Sequence, residues 1–399
     1  MINKPFPINK IVYFVEAYFN ERDYRRFGVK TFEDNGFDVE VWDFTPFIAP
    51  DEYKRTNAPP AFHCHNWRLF QSKREALGAI SKLDSTYFII SLIHYSPNSV
   101  CVHRMLSQKK IKRCVDTMAL PTIDRSGIAL SKRFSQKFKL VNWNSVLSKI
   151  LYLIPYRLLN VNPAEFVLAR GEKYGTSGLA VTAQSEIVWA HYYDYDIYLM
   201  EADKRGPVDI NTGVFIDEFK PFHPDYAYIG LSATVSPDEY YQKLCRFFDY
   251  LESKNGFKII IAAHPRSRYE DLPDYFGGRP VIRGKTSELV RTSGFVILHT
   301  STAINFAVLY KKPVIIVTTD KYNEAWVEDP TPDWMAEFFG KKVHNLDYPI
   351  DFDLQRELYV DEKKYRAYRN DYIKKDGTEE LQSWQILANI IKRFNDIHW

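Results

Sequence analysis

The feature that most constrains the fold of this chain is a regular alternation of strand-like and helix-like segments. Runs rich in branched and aromatic residues, such as KIVYFVEA at 10–17 and FKIIIAA at 257–263, are separated by segments with helical patterns. Strands that alternate with helices argue for parallel sheets that are covered by helices on both faces. The alternation therefore predicts an α/β fold.

The length of the chain predicts more than one such sheet. At 399 residues, the chain greatly exceeds a typical single domain of about 150 residues. We expect two Rossmann-like domains facing a cleft, the first over residues 1–205 and the second over residues 206–378. The last helix, within residues 379–399, is expected to pack back onto the first domain.

Three local predictions concern segments between the strands. The stretch from 22 to 36 is typical of one helix that ends at Gly36, and another helix is predicted near 67–83. Residues 186–200, EIVWAHYYDYDIYLM, favour a helix end or a turn that leads into a buried strand.

Composition excludes several classes of protein. Hydrophobic residues make up 45% and charged residues 26% of the chain, which excludes disordered and collagen-like chains. The N-terminus lacks the uninterrupted apolar core of a signal peptide, and no apolar run reaches the roughly 18–20 residues that span a bilayer. The four cysteines show neither metal-ligand spacing nor a paired framework. We therefore expect a cytoplasmic protein.

Positive charge is concentrated in one region of the chain. Residues 104–173 carry 14 lysines and arginines against four acids, although the net charge of the whole chain is only +3. The region includes the apolar stretch 146–161, in which Lys149 and Arg157 are embedded. Such a segment can lie on the inner face of the membrane or bind an anionic acceptor, and it can equally be a solvated basic face. No nucleic-acid-binding motif accompanies the charge, so nucleic acid is not an expected partner.

Three polar clusters follow consecutive predicted strands of the second half. Ligands of open parallel sheets bind outside the carboxyl ends of the strands, so these clusters are candidate site residues. Two acids follow the first strand, a histidine, a proline and an arginine follow the second, and a histidine with three hydroxyl residues follows the third. The clusters comprise Asp217 and Glu218; His264, Pro265 and Arg266; and His299, Thr300, Ser301 and Thr302.

Each cluster offers one part of a group-transfer site. Ser301 and Thr302 open a predicted helix and can bind an anion, although plain N-capping accounts for them too. His264 and Arg266 can bind or protonate a phosphate leaving group. Asp217 can act as a base or as a nucleophile, and it can equally pair with a nearby cation. Together the clusters indicate transfer of a group from a phosphate-activated donor.

The order of these motifs resembles a known enzyme family. The segments VFIDEFKPFHPDY at 214–226, HPR at 264–266 and HTSTAINFAVLYKKPVII at 299–316 are similar to motifs of bacterial GT-B glycosyltransferases that use CMP-activated ulosonic acids. The likeness covers mainly residues 190–320 and is nearest to the retaining β-Kdo transferases of surface-polysaccharide assembly. It implies a GT-B-like fold and transfer of Kdo (3-deoxy-manno-octulosonate) from CMP-Kdo. The implied acceptor is a sugar hydroxyl of a lipopolysaccharide O-antigen or a capsule, and no metal or other cofactor is implied. The basic region at 104–173 suggests that this acceptor is linked to a lipid.

The resemblance also implies roles for individual residues. Asp217, with Glu218 beside it, would supply the catalytic carboxylate, and His264 would contact the leaving group. The further implied contacts to CMP are Pro265, Arg266, Lys285, His299, Thr300, Ser301 and Thr302. Lys285 is equally well explained as surface charge.

The acidic motif departs from the pattern of the family. Phe219 stands where the usual acid-acid-glycine sequence has glycine. Asp217, Glu218 and Asp225 therefore all remain candidates for the catalytic carboxylate. Two mechanisms stay open: Asp217 forms a glycosyl-enzyme intermediate with retention, which the family likeness favours, or it deprotonates the acceptor with inversion.

Residues 194–196 form a second, independent pattern. Asp194 and Asp196 frame a DxD sequence, which in other glycosyltransferases holds a divalent metal on a nucleoside diphosphate sugar. Such short patterns arise by chance, and a donor with one phosphate needs no bridging ion, so no metal site is predicted. The alternatives to Kdo transfer are an inverting sialic or nonulosonic acid transferase, a nucleotide-sugar epimerase, a glycerophosphate transferase and a non-catalytic carbohydrate-binding protein.

Overall fold

The structure, a computed structural model, describes most of the chain. The described residues are 7–55, 66–117, 143–176, 178–201, 203–204, 206–223, 226, 235–325 and 331–397. They form two parallel β-sheets with helices around them, which is the α/β architecture expected from the alternation of strand and helix patterns.

The first sheet belongs to the N-terminal half of the chain. Its strands are β1 (Lys10–Val15), β2 (Asp38–Asp43), β3 (Trp67–Leu69), β4 (Tyr87–Ser91), β5 (Lys112–Asp116), β6 (Phe166–Ala169) and β7 (Glu186–Trp189). The helices around it are α1 (Glu21–Arg26), α2 (Val29–Asp34), α3 (Thr45–Ile48), α4 (Pro50–Arg55), α5 (Lys73–Ile80), α6 (Val100–Lys109) and α7 (Trp143–Leu153). All strands are parallel, in the order β3-β2-β1-β4-β5-β6-β7, so the strand order reverses between β1 and β4.

The second sheet has six parallel strands. They are β8 (Asp209–Ile216), β9 (Lys258–Ala263), β10 (Val281–Arg283), β11 (Ser293–Leu298), β12 (Val314–Thr318) and β13 (Val343–Asn345). The helices of this half are α8 (Tyr193–Glu201), α9 (Pro237–Asn255), α10 (Thr286–Thr292), α11 (Ile304–Leu309), α12 (Asp320–Ala325), α13 (Pro332–Phe339), α14 (Leu354–Glu357), α15 (Glu362–Tyr368) and α16 (Ser383–Ile397). The strand order is β10-β9-β8-β11-β12-β13, with the reversal between β8 and β11.

Helix α16 returns from the second half of the chain to the first sheet. Trp384 lies in the same core as Tyr13 of β1, and its indole Nε1 donates a hydrogen bond to the carbonyl oxygen of Arg26 at 2.8 Å. Near the end of the helix, the Asn395 side chain accepts from the backbone N–H of Ile8 at 2.9 Å. The prediction of a GT-B-like fold, with two Rossmann-like sheets and a returning C-terminal helix, is confirmed.

The helix expected over 22–36 is in fact two helices, α1 and α2. They are separated at Gly28, which has a φ of 62° in the left-handed region. A Cβ atom at this position would lie 2.4 Å from the Trp384 ring, so the break lets α16 pack closely against the first domain.

Two other local predictions differ from the structure, the first in where a helix begins and the second in the order of the elements. The helix expected near 67–83 begins only at Lys73, where the Ser72 side chain caps it, because the preceding residues pair with β2 as the edge strand β3. Residues 186–200 run in the opposite order to the prediction, with strand β7 first and helix α8 after it. The apolar residues of α8 follow helical spacing, since the rings of Tyr195 and Tyr198 lie 5.4 Å apart and pack against the core of the second sheet.

That packing places α8 with the second domain. The predicted boundary between residues 205 and 206 remains a prediction. Within the described part of the chain, no helix combines the length and the apolar character needed to cross a membrane.

Candidate functional site

The three polar clusters of the second half come together at one edge of its sheet. β8 lies between β9 and β11, so the segments that follow these strands are neighbours. The backbone N–H of His264 donates to Asp217 Oδ2 at 3.4 Å, and the backbone N–H of Thr300 donates to Glu218 Oε1 at 2.6 Å. The two acids therefore join the ends of three adjacent strands.

Asp217 is buried, and both of its carboxylate oxygens accept hydrogen bonds. Oδ1 accepts from the backbone N–H of Phe219 at 2.9 Å, and Oδ2 accepts from the Tyr269 hydroxyl at 2.8 Å. The residue is 2% exposed. Burial raises the pKa of Asp217 to about 6, although the hydrogen bonds oppose that shift. This carboxylate holds the loop after β9 in place and offers little surface to a ligand.

Glu218 lies in a second buried network. Its carboxylate pairs with Lys220 at 3.2 Å and accepts from the Tyr322 hydroxyl at 3.1 Å. Burial opposes ionisation, but the charge of Lys220 and the Thr300 hydrogen bond outweigh it and lower the pKa of Glu218. Glu218 therefore remains an anion that ties β8 to the segment after β11.

Phe219, which replaces the glycine of the acid-acid-glycine pattern, keeps a glycine-like backbone conformation. It has a φ of 52°, in the left-handed region that glycine adopts without strain. Its ring packs edge-on against Tyr269 at 5.1 Å and lies at a tilt to the ring of Phe222 at 5.4 Å. The backbone turn expected of a glycine is thus kept, and aromatic packing stabilises it.

The loop after β9 presents a neutral histidine and an arginine. Burial, the neighbouring His223 ring and Arg266 lower the pKa of His264 to about 3. The backbone N–H of Arg266 donates to Nδ1 of His264 at 3.2 Å, so the neutral ring carries its proton on Nε2. His264 can therefore donate one hydrogen bond to a phosphate but has no additional proton to give. Pro265 separates the two residues in the sequence, and the Arg266 guanidinium lies 3.4 Å from His223 Nε2.

The cluster after β11 is partly buried. His299 is fully buried, with Nδ1 2.7 Å from the carbonyl oxygen of Val317 and Nε2 2.8 Å from the Tyr240 hydroxyl. Thr300 is buried as well, and its hydroxyl lies 2.6 Å from that of Tyr322. Neither side chain has surface for a ligand in this arrangement.

Ser301 and Thr302 are the half-buried members of this cluster. Helix α11, which follows them, has only six residues, so its dipole is small. Thr302 and Asn305 line a cavity between the domains, together with Thr117, Arg170 and Lys173 of the first domain. The hydroxyl of Thr302 is therefore placed at the interdomain cleft.

Lys285 and Asp225 are the remaining predicted candidates. Lys285 is exposed at the start of α10, and its ammonium group lies 3.6 Å from Glu288. Asp225 lies outside the described residues.

The two acids of the DxD pattern point in different directions. Asp194 accepts a hydrogen bond at 2.9 Å from the side-chain amide of Asn305, which lies on α11. Asp196 accepts from the backbone N–H of Ser383 at 2.8 Å and lies 3.5 Å from Nδ1 of His191. Burial raises the pKa of each carboxyl group to about 6. The two carboxylates do not converge on one position where they would share an ion.

Two arginines of the first domain were not predicted from the sequence. Arg22 and Arg26 lie on α1, which follows β1, and neither forms an ion pair with any described residue. The pKa of Arg22 is lowered by burial and by repulsion from Arg26 and from Arg266 of the second domain. The same Arg22 charge contributes to the low pKa of His264. Cationic groups of both domains therefore converge at the cleft.

A glutamate and a histidine of the first domain were also missed. Glu16 directly follows β1, and His94 follows β4, the strand beside it. The Glu16 carboxylate lies 2.5 Å from Nδ1 of His94. The strand-end rule that identified the three clusters of the second half applies here as well, so the signal was present in the sequence.

Comparison with known proteins shows a similarity in fold but identifies no family for the chain. No protein-family model matches the chain. No curated protein matches it either. Among solved structures, the chain is similar to the wall teichoic acid polymerase TagF, with a TM-score of 0.48 and 11% identity over 98% of this chain and 90% of that one.

Two further structures have comparable scores. The glycotransferase of kitacinnamycin has a TM-score of 0.47 and 11% identity, over 98% of this chain and 99% of that one. The UDP-GlcNAc 2-epimerase from Methanocaldococcus jannaschii has a TM-score of 0.43 and 10% identity, over 97% of this chain and 99% of that one. Likenesses at this level indicate neither a donor nor a reaction for this chain.

Proposed function

We propose that the protein is a glycosyltransferase that moves a sugar from a nucleotide-activated donor to an acceptor hydroxyl in the interdomain cleft. The observation that carries this proposal is the convergence of cations from both domains. Arg22 and Arg26 on one side face Arg266 on the other, beside the neutral His264, at the carboxyl ends of β1 and β9. Positive charges from two domains that converge at one cleft form an electrostatic environment that favours an anionic ligand.

The second domain supplies groups suited to a departing phosphate. Arg266 offers planar donors that match two phosphate oxygens, and His264 offers its Nε2 proton. Thr302 adds a hydroxyl at the edge of the cleft. Preorganised donors of this kind stabilise the charge that develops on a leaving phosphate.

We propose a CMP-activated ulosonic acid, with Kdo first, as the donor. Such a sugar carries a carboxylate in addition to the phosphate of CMP, so its site needs more positive charge than that of a neutral sugar. The cleft provides Arg22 within electrostatic range of both Arg26 and Arg266. The similarity of the HPR and HTST motifs to those of CMP-ulosonate transferases agrees with this choice.

The surroundings of Asp217 favour direct displacement with inversion over a glycosyl-enzyme intermediate. A nucleophilic carboxylate needs a free oxygen aimed at the anomeric carbon, whereas both Asp217 oxygens accept hydrogen bonds inside the domain. We assign Asp217 and Glu218 to positioning the donor-binding loops.

We propose a lipid-linked acceptor at an anionic membrane surface. Leu147, Ile150 and Leu153 project from one side of α7 and are exposed, and Leu158 is exposed just beyond it. Lys149 is exposed on the same helix. Apolar side chains with interspersed cations are the composition that binds the interface of an anionic bilayer.

Calorimetric titration with CMP, UDP, GDP and CDP, first in EDTA and then with Mg²⁺, tests the donor. We expect CMP to bind without metal, and Arg266→Ala to weaken it by about 10- to 100-fold, because a charged hydrogen bond is lost. Lys285→Ala is the matched control, since it removes an exposed cation already close to Glu288. The absence of binding by any nucleotide would overturn the proposal, and UDP or GDP binding that requires metal would favour the DxD pattern.

Flotation with vesicles of phosphatidylcholine and phosphatidylglycerol tests the membrane contact. The double variant Leu153→Ser/Leu158→Ser should reduce binding to anionic vesicles, while Tyr359→Ser, an exposed aromatic elsewhere, should not. Equal binding by both variants would count against this surface.

A further inference from the structure

Glu16 and His94 lie at the point in the first sheet where a ligand crevice is expected. β1 and β4 pair in parallel, with Phe14 opposite Ser91, and the strand order of the sheet reverses between them. Crevices of open α/β sheets form outside the carboxyl ends of the strands at such reversals. The donor-binding groups described above occupy the corresponding edge of the second sheet, so this pair stands on the opposite side of the cleft.

The contacts between the two residues hold the ring in one orientation. Glu16 Oε1 accepts from the backbone N–H of His94 at 3.1 Å and lies 2.5 Å from Nδ1 of the ring. The Ser99 hydroxyl donates to the carbonyl oxygen of His94 at 2.5 Å and fixes the backbone. A carboxylate that accepts from Nδ1–H places the proton-accepting lone pair of a neutral ring on Nε2.

Glu16 and His94 differ in exposure, as expected for a positioning carboxylate and a catalytic base. The Glu16 side chain is 18% exposed, whereas the His94 side chain is 68% exposed. Among the described residues, none forms a hydrogen bond with Nε2 of His94. The orienting carboxylate is therefore shielded, whereas the ring that it orients is exposed.

Gly178 leaves room for the His94 ring, because it has no side chain. Gly178 has a φ of 85°, and a Cβ atom there would lie 2.8 Å from Cδ2 of His94 and 3.4 Å from the Tyr152 hydroxyl. Tyr152 belongs to α7, so the helix with the exposed apolar side lies next to the histidine. An acceptor held at α7 would bring its sugar towards His94.

We infer that His94 is the catalytic base that takes the proton from the acceptor hydroxyl, and that Glu16 is its positioning residue. The inference rests on the proposed glycosyl transfer and supplies the base that direct displacement needs. The acceptor oxygen forms a new bond to the anomeric carbon, while the bond from that carbon to the phosphate oxygen breaks and its electron pair leaves with CMP. The hydroxyl proton moves to Nε2 of His94 and then to solvent.

The electrostatics around the ring agree with this assignment. The hydrogen bond from Glu16 and its negative charge raise the pKa of His94 above the ordinary imidazole value, against the effect of burial. Burial raises the pKa of Tyr152 to about 12, so that neighbour stays neutral, and the pKa of Tyr95 is raised for the same reason. Glu16 is thus the charged group that faces the ring and stabilises the imidazolium formed during transfer.

The test measures CMP affinity and the rate of CMP release from CMP-Kdo, with a panel of synthetic alkyl glycosides as acceptors. His94→Ala should bind CMP as the wild type does and lose about 10²- to 10⁴-fold in kcat, the range that a general base contributes. Added imidazole should restore part of the rate, because it can enter the space left by the ring. If His94→Ala turns over like the wild type, the inference is wrong while the proposed function stands.

The pH profile of Glu16→Gln is the second measurement. His94 accepts a proton only when neutral, so the rate falls as pH drops through its pKa, which Glu16 raises. We expect Glu16→Gln to move this acidic limb to lower pH, and Glu33→Gln, an exposed acid on α2, to leave it in place. An unmoved limb in Glu16→Gln would overturn the inference even if His94→Ala does not fold. Failure of the wild type to transfer from any nucleotide donor that it binds would overturn the proposed function, and the inference with it.

Discussion

The acids that follow the strands of the two domains differ in what they contact. In the second domain, Asp217 and Glu218 are buried and engaged by backbone N–H groups, hydroxyls and Lys220. In the first domain, Glu16 is shielded, but the histidine that it orients is 68% exposed. The same strand-end position thus serves to fix loops in one domain and to present a reactive ring in the other. Chemistry is expected where polar groups remain accessible, which favours the first domain for proton transfer and the second for donor binding.

The largest effect that would test this comparison is a loss of stability in Glu218→Ala. Removal of this carboxylate leaves the buried Lys220 ammonium without the carboxylate it pairs with at 3.2 Å. Breaking a buried ion pair from one side typically costs about 3–5 kcal/mol, and we expect a loss of that size in the free energy of unfolding. Chemical denaturation of the variant and the wild type measures it. A variant of unchanged stability would show that Glu218 is not a structural anchor.

A smaller effect, on function and not on stability, is expected for the cations of the first domain. Arg22→Ala should weaken CMP or donor binding about tenfold, because one charged contact to the anion is lost. Its thermal midpoint should stay the same or rise slightly, because the repulsion from Arg26 and Arg266 is relieved. Calorimetry and thermal denaturation of the same preparation give both values. Unchanged affinity would place Arg22 outside the donor site.

The smallest expected effect is a change in the pH dependence of stability in Asp217→Asn. Burial raises the pKa of Asp217 to about 6, above the ordinary value of an aspartate, so the folded protein binds this proton more tightly than the unfolded chain. Stability contributed by the protonated carboxyl is therefore lost as pH rises from about 4 to 6. Asp217→Asn should show a smaller decline over that window than the wild type. Denaturation at both pH values measures the difference, and identical slopes would contradict the burial of this charge.

The adjacency of the three second-domain clusters could be predicted from sequence, because it follows from parallel strands and their order. The sequence could not predict which of these side chains are accessible. His299 and Thr300 belong to the same cluster as Thr302, yet only Thr302 lines the cleft, because Tyr240 and Tyr322 cover the other two. Burial of this kind depends on residues far away in sequence.

The first-domain groups were missed for a related reason. Glu16 and His94 are 78 residues apart, and each is a single polar residue that forms no motif. Their pairing requires β1 and β4 to be neighbours, which is a consequence of strand order and not of local pattern. Likewise, Arg22 and Arg266 meet only because two domains close on one cleft.

The measurement that tests the central claim most directly is the transfer rate of Asp217→Asn and His94→Ala, side by side, at saturating CMP-Kdo and at a temperature where both are folded. If the buried acids position loops and the exposed histidine performs proton transfer, Asp217→Asn stays within about tenfold of the wild type, whereas His94→Ala loses at least about 10²-fold. The account would be contradicted if Asp217→Asn lost transfer activity while His94→Ala kept it, and if intact mass spectrometry showed a sugar adduct on Asp217.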